Sequence, residues 1–157
     1  MTIASKGGPK LDLAKSLNIA DEYIRISDVP EEAVTQMDNL KSTNHYGFDI
    51  VVEATGAPSV LESALYYVRK GGTLVVYGVY DENVKVSWSP SRIWTHEIKV
   101  VASFCNLQMM PRVLEYVETG KMKLRGIASK TYRIEEWAEC LEAVRKQEVV
   151  KAAIIFE

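Results

Sequence analysis

Long apolar runs are missing from this sequence. None approaches the roughly 20 residues that a bilayer crossing requires, and the N-terminus has no apolar core of the signal-peptide kind. A membrane span is set aside, and a cytoplasmic address is expected. Basic runs are missing too: 19 Lys and Arg stand against 21 Asp and Glu, a formal net charge of -2. Neither nucleic acid nor an anionic membrane is therefore an expected partner. Cysteine is scarce, and Cys105 and Cys140 lie far apart with no CxxC pair, which argues against a disulfide framework or a zinc knuckle. His45 and His96 have no companions at metal-ligand spacing. No repeat, low-complexity tract or linker divides the chain, so one domain of residues 1–157 is expected.

What is present alternates apolar runs with amphipathic stretches. Thr2–Ser5 reads as the end of a buried strand, and Lys6-Gly7-Gly8-Pro9 as a turn. Pro9 suits a first helical position, and the helix it opens places Leu13, Ala14 and Leu17 on one face, ending near Asn18. YIRIS follows as a short strand, then a polar helix from Pro30 carrying Val34, Met37 and Leu40. FDIVVEATG (48–56) is a short apolar run ending at glycine, as a strand covered on both faces would be. In PSVLESALYYVRKGG, Ser59 and Glu62 have capping-box spacing, and Leu61, Ala64, Leu65 and Val68 form a helical stripe. Gly71 and Gly72 are placed to stop that helix, and TLVVYGV (73–79) is the next buried strand. A whole helix between two strands favours a right-handed crossover and a parallel sheet. A short helix from Pro90 and an apolar strand (98–104) follow. A helix (111–120) with Val113, Leu114 and Val117 inward comes next. The last elements are a helix (134–147) burying Trp137, Leu141 and Val144, and a terminal strand in VVKAAIIFE.

A doubly wound sheet binds ligand at the carboxyl ends of its strands. That rule selects Ser5-Lys6, Ala54-Thr55-Gly56, Gly78-Val79 and Phe104-Cys105-Asn106. Glycines there let a flat ligand approach backbone atoms.

Three stretches then carry a resemblance: FDIVVEATGAPSVLESALYYVRKGGTLVVYGV, SFCN, and YRIEEWAECLEAVRKQEVVKAAIIFE. Together they resemble the nucleotide-binding portion of medium-chain, zinc-type alcohol and polyol dehydrogenases, with sorbitol and arabinitol dehydrogenases as the nearest subgroup. The resemblance implies an α/β fold with a Rossmann-like, mostly parallel sheet and helices on both faces. It implies a nicotinamide dinucleotide as partner and homo-oligomers built through this domain. Ser5 falls where an acidic residue would hold the adenosine ribose of NAD; a hydroxyl cannot make that charge-assisted contact. With Lys6 beside it and Lys10 one turn on, the position suits the extra phosphate of NADP. Thr55 and Gly56 match positions lining the nicotinamide ribose. Gly78, Val79 and the main chain of Phe104 match positions facing the carboxamide. No chemistry is assigned to Cys105 or Asn106.

The resemblance also identifies what these residues do not contain. In the family order 3-2-1-4-5-6 the first strand is central, and this sequence begins at the second. The first strand and its glycine-rich phosphate loop are expected about 20 residues upstream of Ser5, and KGGPK lacks the G-x-G-x-x-G spacing. The family's catalytic zinc is expected only in a preceding domain, against which the terminal strand (149–157) would pack. An omitted central strand leaves buried backbone groups unpaired, at about 1–3 kcal/mol each. The second and fourth family strands would then close up, a partner chain would fill the slot, or the fold would be unstable. The expected function is that of a partial cofactor-binding domain of an NAD(P)-dependent alcohol or polyol dehydrogenase, weak or inactive alone. A non-catalytic binding protein derived from such an enzyme, and an enzyme of another class with the same layout, stay open.

Overall fold

Strand, helix, strand is the recurring order of the computed structural model, which describes residues 1–104 and 107–156. The strands are β1 (Thr2–Ser5), β2 (Glu22–Arg25), β3 (Phe48–Glu53), β4 (Val68–Val76), β5 (Lys99–Ala102), β6 (Ala128–Arg133) and β7 (Lys151–Ile155). The helices are α1 (Pro9–Ser16), α2 (Pro30–Thr43), α3 (Pro58–Ala64), α4 (Pro90–Thr95), α5 (Met110–Glu118) and α6 (Trp137–Arg145). Every described pairing is parallel: β1 with β2, β4 with both β3 and β5, and β6 with β7. The α/β, Rossmann-like class expected from the sequence is the class observed. The expected sheet is divided into three ladders. In their own ladders β1 and β3 each pair on one side only. The chain forms two compact units, residues 1–36 with 109–157, and residues 37–108.

In the first unit, Gly8 at φ 85 turns the chain out of β1, and Pro9 opens α1. The residue α1 buries is Leu11; Leu13, Ala14 and Leu17 are only half-buried. The Tyr23 hydroxyl donates to the Ala14 carbonyl (3.0 Å) and accepts from the Ala20 N–H (2.8 Å), tying β2 to α1. On α2, Val34 in this unit is exposed, whereas Leu40, among residues 37–108, is buried, so only part of the expected face turns inward.

The core of this unit is Tyr132, Cys140, Ala143 and Val149, with Ala152 and Ile154 against it. That corrects the face expected for α6: Trp137, Leu141 and Val144 are half-exposed, and the small Cys140 and Ala143 are buried. Small side chains let the helix lie close on the β6–β7 ladder, and close approach outweighs size here. The expected inward Val113, Leu114 and Val117 of α5 are likewise exposed. No apolar run announces β6, because Tyr132 is its one buried residue.

In the second unit, Leu61, Ala64, Leu65, Val68, Leu74 and Ile98 form the core. The stripe read from the sequence is buried as a set, but its last member, Val68, opens a strand. A single 3-10 turn, Leu65–Tyr67, separates α3 from β4. Gly71 and Gly72 therefore do not stop a helix; they lie inside β4. Between the pairs Phe48↔Val68 and Ile50↔Thr73 the register shifts, and the surplus β4 residues bulge out. Gly71 takes φ 70 there, and a Cβ on Gly72 would fall 2.8 Å from Val68 Cγ1 and 2.9 Å from the Asp49 carbonyl. The capping box is also corrected. Ala57 is the N-cap of α3, and the Glu62 carboxylate accepts from the Ser87 N–H at 2.8 Å instead.

Candidate cofactor site

The carboxyl ends of β3 and β4 meet around Glu53, which is 2 % exposed and the only buried charged residue among those described. Its carboxylate accepts hydrogen bonds from the Thr55 N–H and hydroxyl and from the Tyr80 hydroxyl. Its backbone carbonyl accepts from the N–H groups of Tyr77 and Gly78, each at 2.9 Å. One residue thus fastens the loop after β3 to the loop after β4. Burial alone would raise the Glu53 carboxyl. The Thr55 and Tyr80 side chains, with the backbone N–H groups of Thr55 and Gly56, outweigh it and hold the group below its ordinary 4.5. Tyr80 is pushed up, first by burial, then by its hydrogen bond to Glu53 and by the Glu53 charge. Nothing in the sequence pattern singled out Glu53 or Tyr80; a carboxylate ending an apolar strand was the available signal.

Four of the candidate site residues come together here. A Cβ on Gly56, at φ 75, would fall 2.6 Å from the Val79 carbonyl oxygen. On Gly78 it would fall 2.5 Å from Glu53 Oε2 and 2.6 Å from the Gly56 nitrogen. The two loops touch backbone to backbone, and that contact itself demands glycine. Thr55 and Val79 remain exposed beside it, with Val79 at 89 %. The Thr55 hydroxyl also accepts from the Ala57 N–H at 3.1 Å, starting α3. Phe104 follows β5 in the same unit and is almost fully exposed. Cys105 and Asn106 lie outside the described residues.

Ser5, Lys6 and Lys10 belong to the other unit. Ser5 ends β1, and its hydroxyl accepts from the Gly7 N–H at 3.1 Å, which shapes the turn. Lys6 and Lys10 are exposed. Arg25 stands opposite Ser5 in the parallel register, and its Nε would lie 3.0 Å from a Cβ on Gly7. The sequence did not bring Arg25 into this group, because pairing register is a tertiary fact. Three cations therefore come from this strand-end region and the helix after it.

Among the described residues, no group of three His, Cys, Asp or Glu side chains could hold a metal ion. A catalytic zinc does not fit these described residues. No described helix is long and apolar enough to cross a membrane.

Parallel strands joined by helices, with two glycine-bearing loops locked together at the carboxyl ends of β3 and β4, define an α/β protein of Rossmann-like layout. Residues 1–119 match the family described as zinc-binding dehydrogenase, and the chain belongs to that family. It is similar to D-arabinitol dehydrogenase 1 of Uromyces fabae, 42% identical over 154 residues, 98% of this chain and 44% of that protein. It is also similar to sorbitol dehydrogenase of Gallus gallus, 24% identical over 152 residues, 96% of this chain and 41% of the relative. The chain thus spans less than half the length of these relatives. Two solved structures share the fold across 99% of the chain. One, a zinc-binding dehydrogenase from Sinorhizobium meliloti 1021 bound to NADP, has TM-score 0.75, 20% identity and 42% of its own length covered. The other, an alcohol dehydrogenase from E. coli CFT073 complexed with NADH, has TM-score 0.83, 17% identity and 44% of its length covered.

Proposed function

We propose that the two units are parts of one nicotinamide dinucleotide-binding domain, serving a cytoplasmic, self-associating polyol or alcohol dehydrogenase. The observation that carries this reading is the Glu53-locked pair of loops at the carboxyl ends of β3 and β4, which sets exposed Thr55 and Val79 side by side. A rigid, backbone-lined ledge at strand ends is what a flat nicotinamide ring and its ribose need. Thr55 and Gly56 would meet the ribose, and Gly78, Val79 and the main chain of Phe104 the carboxamide edge. A nicotinamide held there would supply hydride-accepting chemistry for the oxidation of a secondary alcohol to a ketone, the hydroxyl proton leaving as the hydride does. These residues orient the ring for that transfer and keep the loops from moving apart. None of these five residues is an acid, a base or a metal ligand, and the 157-residue chain assayed alone is expected to be a poor dehydrogenase.

The finer choice is NADP over NAD. Ser5 offers no carboxylate to a ribose diol, and Lys6, Lys10 and Arg25 supply positive charge for a 2′-phosphate. Fluorescence titration with NADPH and NADH tests both levels. Binding of NADPH, with NADH weaker, is expected. Lys6→Ala with Arg25→Ala should weaken NADPH about tenfold or more and leave NADH nearly unchanged. Equal affinities would remove the NADP choice; failure of both dinucleotides to bind would remove the cofactor reading.

A further inference from the structure

At the amino-terminal end of the β3–β4 ladder lies a cleft of about 480 Å³ that the cofactor reading does not use. Phe48 and Val68, the first residues of β3 and β4, line it, as do residues that follow α2. Six residues of β3 at about 3.3 Å each put it roughly 20 Å from the Glu53 loops.

The charge of its wall is one-sided. Lys41, Arg69, Lys70, Arg92, His45 and His96 all contribute, and no Asp or Glu does. The chain as a whole carries a net charge of -2, so this concentration of positive charge is local. Arg69 Nε donates to Asp49 at 2.6 Å and is partly spent; no described ion pair holds Lys41, Lys70 or Arg92. Arg92 lies 4.7 Å from the Tyr66 ring centre, and Lys41 approaches the same ring at 5.8 Å. Arg92 donates through one terminal nitrogen to the Tyr66 carbonyl at 3.4 Å, and its Nε is buried with no hydrogen-bond partner. Burial, then the charges of Arg92 and Lys70, hold His96 below its ordinary value. Tyr46, Phe48 and Tyr67 supply aromatic surface among these charges.

From this juxtaposition of unpaired cations and aromatic walls in one cleft, we propose a binding site for a small phosphorylated molecule bearing a flat ring. Lys41, Lys70 and Arg92 take the phosphate oxygens, and the aromatic side chains take the ring. The volume falls in the range of small-molecule sites, about 300–1,000 Å³. The proposal is independent of the dinucleotide reading, since it uses the opposite end of the strands.

The test is an amide-resolved NMR titration of the 157-residue chain with phenyl phosphate, phenol and inorganic phosphate. Phenyl phosphate is expected to shift the amides of Gly47, Lys70, Gly71 and His96, with inorganic phosphate weaker and phenol inactive. Raising ionic strength should weaken binding, because partly exposed charges are screened. Lys41→Met with Lys70→Met, both exposed lysines, should raise the dissociation constant about tenfold or more. Lys70→Gln alone serves if the double variant loses its folded spectrum. Shifts centred on Thr55, Gly56 and Gly78 instead, equal response to phenol, an unchanged constant in the variant, or no shift at about 10 mM phenyl phosphate would each overturn the proposal.

Discussion

Glu53 carries a charge that burial disfavours, and it stays ionised because donors surround it. Replacing it by Gln leaves the shape but removes the charge-assisted bonds, and a loss of about 1–3 kcal/mol is expected in urea unfolding. The pH dependence has a definite sign. The folded carboxyl sits below its ordinary 4.5, so its stabilisation is complete above that value and is lost as pH falls through the folded value. Asp21, Asp49 and Asp81 are lowered too, so the wild type alone does not isolate Glu53. The gap between wild type and Glu53→Gln should be constant from pH 7 to about pH 5 and shrink below it. A gap that widens on acidification would contradict the assignment. Gly56→Ala and Gly78→Ala should each cost more than about 1 kcal/mol, because the new methyl meets backbone or the Glu53 carboxylate within 2.6 Å.

Among the elements, β4 and α6 depart most from what their sequences suggest. The bulge in β4 needs Gly72 to pass Val68, Arg69 and the Asp49 carbonyl. Gly72→Ala should lower stability by about 1–3 kcal/mol through overpacking, measurable as a shift in the urea midpoint with unchanged slope. On α6 the two faces can be ranked directly. Ala143→Leu fills a buried position (5 % exposed) and should cost about 1–3 kcal/mol. Leu141→Ala, at a half-exposed position, should cost at most about 1 kcal/mol. The reverse order would restore the apolar stripe as the packed face. The stripe misled because it reports where apolar residues recur, whereas packing against β6 and β7 is decided by which side chains are small enough for close approach.

For the whole molecule, family membership and fold agree: a match over residues 1–119 and parallel ladders with helices between. The chain spans 44% of its arabinitol dehydrogenase relative. Steady-state assays of the purified chain with arabinitol, sorbitol and a simple secondary alcohol should show at most trace turnover with either dinucleotide. Robust turnover would mean that these residues supply the chemistry denied to them above.

The order of the elements other than β6, the parallel class and the family were legible in the sequence. Apolar runs, turn residues and short joins act locally, and local signals survive in one dimension. Tertiary structure decided the rest: that Gly56 and Gly78 face each other, that Glu53 is buried between their loops, and that Arg25 stands opposite Ser5. It also decided that four cations and two histidines line one cleft without a carboxylate. Each depends on which distant segments touch, and a pairing register or a buried charge is fixed only when the strands are laid side by side.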